Sequence, residues 1–144
     1  MRNQGACGSC AAFAAVGAAE ASLLKAGADI SLLDISEQWL VDCKPPGANG
    51  CSGASLVAYH DYMALKGNLM HESIHPYKGS TEYQCPAGPY WSPGYKITKS
   101  PTAWNPTDKQ IMAHVMEYGG TTVAVYASDP GFGHYKSGVF DTCE

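Results

Sequence analysis

The chain has 144 residues, of which 45% are hydrophobic, and it carries a formal net charge of −4. This length accommodates one core of ordinary size or two small lobes. No apolar run is long enough to span a bilayer, and no cluster of Lys or Arg offers the electrostatic footprint of a nucleic-acid or anionic-membrane partner. Composition therefore predicts a soluble globular protein.

The segment NQGACGSCAAF at residues 3–13 brings an amide and two thiols together ahead of an alanine-rich stretch. A thiol becomes a strong nucleophile as the thiolate, and the unpaired N–H groups at a helix N-terminus stabilise that charge. Cys10 stands where this stabilisation is greatest. Gly8 lets the backbone turn tightly, and Gln4 can donate its side-chain N–H to an oxyanion beside the thiol. The segment predicts a nucleophile and an oxyanion donor on one loop.

A C-x-x-C pair such as Cys7 and Cys10 is also typical of a local disulfide, half of a metal site or a redox centre. A zinc site would need a second pair at similar spacing, whereas the other cysteines are scattered at positions 43, 51, 85 and 143. A redox motif should follow a strand, and only six residues precede Cys7. The redox or metal interpretation requires a Cys7–Cys10 pair and remains the weakest alternative.

The six cysteines indicate bridges in an oxidising compartment, as in secreted or lysosomal proteins. If Cys10 is free, an odd number remains, and Cys143 is the natural residue to have a partner outside this chain. No signal peptide is visible, because polar residues follow Met1 at once. We expect that a leader has been removed or that the sequence is partial and truncated at both ends.

Hydrophobic spacing and capping residues predict four helices. They cover residues 10–25, 35–43, 55–66 and 107–118. The first is rich in alanine, which together with Gly17 is expected to permit close approach by its neighbours and suits a central helix between two lobes. Ser36 caps the second helix and Gly67 ends the third, while Thr107 and Gln110 form a capping box for the fourth.

Strands are predicted only in the C-terminal part. Residues 95–98 alternate like an edge strand, and the β-branched run 121–127 predicts a buried strand. Residues 132–140 predict a turn followed by another short strand. Prolines between residues 86 and 106 mark a change in composition, so we place a lobe boundary near residue 95.

Several separated motifs resemble the papain/cathepsin-type cysteine proteases. They are NQGACGSCAAF at 3–13, ISEQWLVDC at 35–43, GCSGA at 50–54, HPYKG at 75–79 before Cys85, and the looser GGTTVAV at 119–125 and FGHYKSGVF at 132–140. They follow the family's order over nearly the whole chain. The resemblance implies an α+β, papain-like two-lobed fold, with a complete helical lobe over 1–95 and the first part of a β-rich lobe over 96–144.

The same resemblance implies a set of site residues. Cys10 matches the catalytic cysteine and Gln4 the oxyanion-hole glutamine. Positions that match the substrate cleft are Gly8, Gly53, Ala54 and Thr121, with position 54 pairing its backbone with an extended peptide and Thr121 lining the main specificity pocket. The implied disulfides are Cys7 with Cys51 and Cys43 with Cys85.

Three alanines depart from the family pattern. Ala11 replaces the bulky aromatic after the nucleophile, Ala14 replaces a frequent serine, and Ala54 replaces the cleft glycine. An aromatic beside the nucleophile shields the catalytic ion pair from water, so its loss is expected to lower thiolate stability. These departures leave open a catalytically inactive relative that serves as a binding or structural protein.

A thiol protease also needs a histidine base and an asparagine to orient it, which this family carries about 130 to 150 residues after the cysteine. That window opens at residue 140 and contains no histidine up to Glu144. His134 is the nearest candidate, but it lies in a stretch whose family counterpart is structural. The other histidines, predicted to be helix-surface or loop residues, are His60, His71, His75 and His114. We expect the base and asparagine beyond residue 144, and little or no turnover from this chain alone.

The resemblance also implies partners. We expect a peptide or protein substrate and a cystatin-like or propeptide inhibitor, no cofactor or metal, no nucleic acid or membrane, and a monomer. Cysteine usage predicts a lysosomal or secreted location.

Overall fold

The computed structural model describes residues 2–81, 83–90, 96–97 and 102–140. The helices are α1 (Cys10–Lys25), α2 (Glu37–Cys43), α3 (Ala58–Lys66), α4 (Asp108–Tyr118) and the single turn α5 (Pro130–Gly133), with a 3-10 turn at Ile30–Leu32. The first four confirm the predicted helices, although α3 begins at residue 58 rather than 55. Within the described ranges, β-structure is limited to isolated bridges.

The capping residues perform the roles predicted for them. The Ser36 side chain accepts a hydrogen bond from the backbone N–H of Trp39 at the start of α2. Thr107 and Gln110 form both halves of the capping box at the start of α4. Gly67 ends α3 in the left-handed region with φ of 66°. These local signals fix where the helices start and stop because each satisfies backbone groups that the helix leaves unpaired.

The core is built around α1, which contacts α2, α3 and α4. The largest fully buried side chains in the same cluster as its alanines include Trp39 from α2 and Tyr59 and Met63 from α3. Burying each of these side chains contributes about 1.5–3 kcal/mol. The alanine-rich face therefore lets large side chains on the neighbouring helices fill the space beside α1.

Close approach to α1 also occurs at the end of α4. A Cβ atom added to Gly119 would lie 2.7 Å from the backbone oxygen of Ala21, and one added to Gly120 would lie 3.0 Å from the Ala21 Cβ. This contact confirms the small-residue face predicted for α1. Gly17 takes no part, because it is exposed and a Cβ there would meet open space.

The strands predicted after α4 are wrong for the residues described. The run 121–127 has no strand, and Val123, Val125 and Tyr126 are 58%, 64% and 78% exposed. A β-branched run becomes a strand only by hydrogen bonding to a neighbouring strand, and the described ranges supply none. Instead of a strand, residues 132–140 contain the end of α5, whose first turn is capped by the Asp129 side chain.

Some predictions fall on residues that are not described. Residues 95 and 98 of the predicted edge strand lie outside the described ranges, as do the lobe boundary near residue 95 and Cys143. Residues 96–97 are described and form no strand. None of the helices in the described part of the chain is long and apolar enough to cross a membrane.

Candidate active site

Cys10 is the first residue of α1, and its thiol is free and exposed. The first turn of α1 contains no acidic residue, and the side chain of the N-cap Ser9 does not cap the helix. No hydrogen bond from the backbone N–H of Cys10 or Ala11 reaches another described group. Unpaired N–H groups at the positive end of a helix favour an anion. The helix start can therefore stabilise a thiolate or an oxyanion.

Tyr77 fastens the nucleophile loop, which we define as residues 3–9. Its hydroxyl donates to the backbone oxygen of Gln4 at 2.8 Å and lies 2.7 Å from Ser9 Oγ. Because the single phenolic proton goes to Gln4, Ser9 is the donor in the second bond. The ring also packs edge-on against Phe13, with centroids 5.0 Å apart. One side chain thus positions the Gln4 backbone, the N-cap and the first turn of α1.

Gly8 holds the nucleophile loop against the segment that follows α2. Its N–H donates to the backbone oxygen of Cys51 at 2.9 Å, and the disulfide Cys7–Cys51 lies beside this bond. A Cβ on Gly8 would come within 2.5 Å of the Cys51 oxygen. Position 8 therefore requires glycine for close approach, which differs from the tight turn predicted. The positive φ in this loop belongs to Gly5, at 62°.

The facing segment, residues 47–55, is called here the cleft loop. Ala48 and Ala54 form an antiparallel bridge in which Asn49 N–H bonds to Gly53 O at 2.9 Å and Ser55 N–H bonds to the oxygen of residue 47 at 2.8 Å. Because the flanking residues make these bonds, the N–H and C=O of Ala54 itself point away from Ala48. Neither group bonds to any other described residue. The cleft loop thus presents one unpaired backbone edge.

Alanine at position 54 is compatible with this backbone. The left-handed conformation in the cleft loop is adopted by Gly53, with φ of 94°, and Ala54 is not among the residues with positive φ. Alanine adopts negative φ without strain. Replacing the cleft glycine by alanine at position 54 therefore leaves the described backbone conformation unstrained.

Gln4 and Thr121 are less tightly defined than the cysteine. Gln4 is half-buried with its backbone oxygen held, and its side-chain amide forms no hydrogen bond with a described residue. Thr121 is exposed, and no hydrogen bond joins it to the nucleophile loop in the ranges described. Its neighbour Thr122 makes the contact instead, with Oγ1 lying 3.1 Å from Nε2 of His60 on α3.

No histidine in the described ranges forms a hydrogen bond to Cys10. His134 is exposed and lies at the C-terminal end of α5, which follows the irregular segment after α4 in the sequence. His60 lies on α3 and His75 in a loop, as predicted, and both are half-buried. Burial lowers the pKa of His60, and Nε2 of His75 lies 2.7 Å from the buried Asp42 carboxylate. Sequence spacing gave no signal for these long-range partners.

The disulfide bonds of the remaining cysteines test the redox or metal interpretation of the C-x-x-C pair. The second disulfide joins Cys43 to Cys85, so both bridges are the pairs that the resemblance implied. Because Cys7 is bonded to Cys51, it cannot pair with Cys10, and the redox or metal interpretation of C-x-x-C is eliminated. Across the described residues, no group of three or more His, Cys, Asp or Glu could hold a metal ion.

A free thiol begins the central helix α1, and the Cys7–Cys51 disulfide joins the loop before it to the loop that carries the unpaired backbone edge of Ala54. The sequence profile of the papain family cysteine proteases matches residues 1–144, and the chain belongs to that family.

Individual relatives agree with this assignment. The chain is 34% identical over 142 residues to cysteine proteinase 6 of Dictyostelium discoideum, a match that covers 98% of this chain and 32% of that protein. It is 34% identical over 145 residues to procathepsin L of Mus musculus, covering 97% and 41% respectively. The chain therefore spans about a third to two fifths of these curated relatives.

A solved structure of a Carica candamarcensis cysteine protease in complex with E-64 matches with a TM-score of 0.75. The match has 27% sequence identity and covers 100% of this chain and 65% of that one. The papain-like fold class predicted from the motifs is thus confirmed, with the described part of this chain mostly helical.

Proposed function

We propose that this chain is part of a papain-like cysteine endopeptidase in which Cys10 is the nucleophile. One observation carries the proposal: Cys10 is a free, exposed thiol at the first position of α1, although the cysteine three residues earlier is bridged. A structural cysteine at this position would be paired or buried. A reactive one needs exposure and a stabilising environment for the thiolate.

The reaction begins when the Cys10 thiolate attacks the carbonyl carbon of a peptide bond, which gives a tetrahedral oxyanion bonded to Sγ. The unpaired backbone N–H of Cys10 and the side-chain amide of Gln4 donate to this oxyanion. The intermediate then collapses, the C–N bond breaks, and the amine leaves with a proton from a histidine. Water hydrolyses the thioester and regenerates the thiol.

The base and its orienting asparagine are assigned to the part of the whole protein outside these residues. The longer relatives support this assignment, since this chain covers 41% or less of their length in the matches above. The lobes remain as inferred from sequence, with residues 1–95 as the helical lobe and 96–144 as the first part of the β-rich lobe. The substrate then lies in the cleft between them.

An extended peptide is the substrate that the cleft loop fits best. The N–H and C=O of Ala54 point away from their bridge partner and are unbonded among the described residues, so a substrate backbone can add to this edge as a strand does. Gly8 and Gly53 flank the path of the peptide, and Thr121 is assigned to the specificity pocket. A propeptide or a cystatin-like inhibitor would occupy the same edge.

The two disulfides favour an oxidising compartment, and a lysosomal or secreted location follows for the whole protein. The proposal is tested with the full-length protein and a panel of fluorogenic peptides at mildly acidic pH. We expect Cys10→Ser to abolish hydrolysis and Gln4→Ala to lower kcat by about 100-fold, with little change in thermal stability. Equal activity of parent and Cys10→Ser would contradict the proposal.

A second candidate is a catalytically inactive member of the family. It is favoured by Ala11, which is 6% exposed in the core and leaves the nucleophile without an adjacent aromatic on its own helix. An inactive relative would bind peptides at the Ala54 edge without cleaving them. Peptide binding by the full-length protein, with no product and no covalent labelling of Cys10, would favour this candidate.

A further inference from the structure

The side chain of Gln38 is a fully buried polar group on α2 that plays no part in the proposed reaction. Its Nε2 donates to the backbone oxygen of Ser80 at 2.7 Å and to Asp42 Oδ1 at 2.9 Å. Its Oε1 accepts from the backbone N–H groups of Lys78 and Gly79, at 2.7 Å and 3.1 Å. A glutamine amide has two N–H donors and an oxygen with two lone pairs, so it makes every hydrogen bond available to it.

Three of these four bonds hold the backbone of residues 75–80, which we call the anchor segment. A second side chain of α2's first turn, that of Ser36, donates to the backbone oxygen of His75 at 2.5 Å. Among the described residues, no backbone-to-backbone hydrogen bond involves a residue of the anchor segment after His75. Because backbone groups that lack such bonds need other partners, the amide of Gln38 determines the path of this segment.

The anchor segment contacts the nucleophile loop through Tyr77 and Gly79. The Tyr77 hydroxyl donates to the backbone oxygen of Gln4 at 2.8 Å. A Cβ added to Gly79 would lie 3.5 Å from the Tyr77 ring and 3.8 Å from that same oxygen, so Gly79 packs beside the hydrogen bond. Gln38 therefore holds the backbone N–H of a residue that lies against the contact between Tyr77 and Gln4.

We propose that Gln38 is a positioning residue for Gln4, the donor to the oxyanion. Gln38 fixes the backbone of the anchor segment, the segment carries Tyr77, and Tyr77 holds the backbone from which the Gln4 amide projects. A donor stabilises a developing charge best when it is already held in place before the reaction. The inference rests on the proposed function in one respect, that the Gln4 amide donates to the oxyanion.

The first test is steady-state peptide hydrolysis by the full-length protein, comparing the parent with Gln38→Met, which keeps the length of the side chain and removes its hydrogen bonds. We expect kcat to fall by about tenfold and KM to stay within about twofold, because a misplaced oxyanion donor weakens transition-state binding. In a Gln4→Ala background the same substitution should lower kcat by less than about twofold, since the donor is already gone. Parental kcat in Gln38→Met, or the full loss in the Gln4→Ala background, would overturn the inference.

Gln38→Asn covers the case in which Gln38→Met does not fold. It keeps the amide but draws it back by one methylene, so the hydrogen bonds weaken without being removed. We expect the same pattern with a smaller loss of kcat, and parental kcat would overturn the inference. Circular dichroism confirms that each variant is folded at the assay temperature.

Backbone hydrogen exchange gives a second readout, which needs no turnover. The N–H groups of Cys7, Gly8 and Ser9 are hydrogen-bonded in the nucleophile loop, so their exchange reports how firmly the loop is held. We expect exchange in the peptide that covers this loop to rise by about threefold to tenfold in Gln38→Met. A rise confined to α2 and the anchor segment would show a local structural role and would overturn the inference.

Gln110→Met is the matched control, the same substitution in the capping box of α4. Its Oε1 accepts from the Thr107 backbone N–H at 2.8 Å, and we expect parental kcat and parental exchange in the nucleophile loop. Equal effects of Gln110→Met and Gln38→Met would mean general destabilisation and would overturn the inference. Absent hydrolysis in the parent would instead contradict the proposed function, and the exchange comparison would still decide whether Gln38 holds the nucleophile loop.

Discussion

Two regions of the chain differ in how far their residues are buried and hydrogen-bonded to one another. In the first region, residues 2–81, the helices α1, α2 and α3 share one buried core and two loops that are fastened by hydrogen bonds. In the second region, residues 102–140, no described residue of α4 or α5 is buried, and the predicted strands are absent. The site residues with well-defined surroundings all lie in the first region. Local sequence signals suffice to predict helices, whose hydrogen-bond partners are near in sequence. A strand needs a neighbouring strand, and the described residues of the second region supply none.

The largest effect should come from the disulfide that joins the nucleophile loop to the cleft loop. Cys7 and Cys51 are 44 residues apart, and removing a bridge over such a loop costs about 4 kcal/mol. We expect the double variant Cys7→Ser/Cys51→Ser to lose about that much free energy of unfolding in urea titrations. Cys10→Ser, which removes a free thiol, should change it by less than about 0.5 kcal/mol. A double variant as stable as Cys10→Ser would contradict the account of the first region.

Two glycine substitutions compare a glycine that is packed closely against another backbone segment with a glycine that faces solvent. Gly8→Ala should destabilise the protein by about 1–3 kcal/mol, because the new Cβ would meet the Cys51 oxygen at 2.5 Å. Gly17→Ala on the exposed side of α1 meets nothing within 4 Å and should stabilise it by about 0.5–1 kcal/mol. Thermal unfolding of both variants measures the difference. If Gly8→Ala were instead the more stable variant, the nucleophile loop and the cleft loop would not be in contact at position 8.

Paired tyrosine variants compare the two regions directly. Tyr77→Phe removes the hydroxyl that joins Gln4 and Ser9, and we expect a loss of about 1–2 kcal/mol. Tyr135→Phe removes an exposed hydroxyl that donates to the Gly138 backbone oxygen in the second region, and we expect less than about 0.5 kcal/mol. Urea titration of the two variants gives the comparison. Similar losses would mean that the hydroxyl of Tyr77 does not fasten the nucleophile loop.

The smallest effect concerns one of the contacts between the regions, in which His60 Nε2 lies 3.1 Å from Thr122 Oγ1. Burial lowers the pKa of His60, with Asp61 opposing this and His114 adding to it. The folded state therefore binds fewer protons than the unfolded state, and the stability from neutral His60 is present above about pH 6.5 and lost as pH falls toward the folded pKa. His60→Gln should flatten the loss of stability between pH 7.5 and pH 5, whereas His134→Gln should not. An unchanged slope in His60→Gln would contradict the assignment.

Sequence reasoning found the parts of the site that depend on neighbours along the chain. The start of α1 at Cys10 and the cap at Ser36 follow from residues within one helical turn. Tyr77 was not assigned to the site, because its partners Gln4 and Ser9 lie far away in sequence. A sequence motif can identify a functional residue, but only the folded structure shows which distant group a tyrosine hydroxyl contacts.

The glycines of the site show a second limit. Gly8 was expected for a turn and is required for contact with Cys51, while Ala54 was treated as a departure and proves compatible with its backbone. Composition alone does not separate positive φ from close approach, since both favour glycine.

The central claim is that Cys10 is the reacting thiol of a papain-like peptidase. Covalent labelling of the full-length protein by E-64 at mildly acidic pH, mapped by mass spectrometry, tests it most directly. The account predicts one adduct per molecule on the peptide containing Cys10, and none in Cys10→Ser. Labelling elsewhere, or no labelling under conditions in which an active papain-family enzyme reacts to completion, would contradict it.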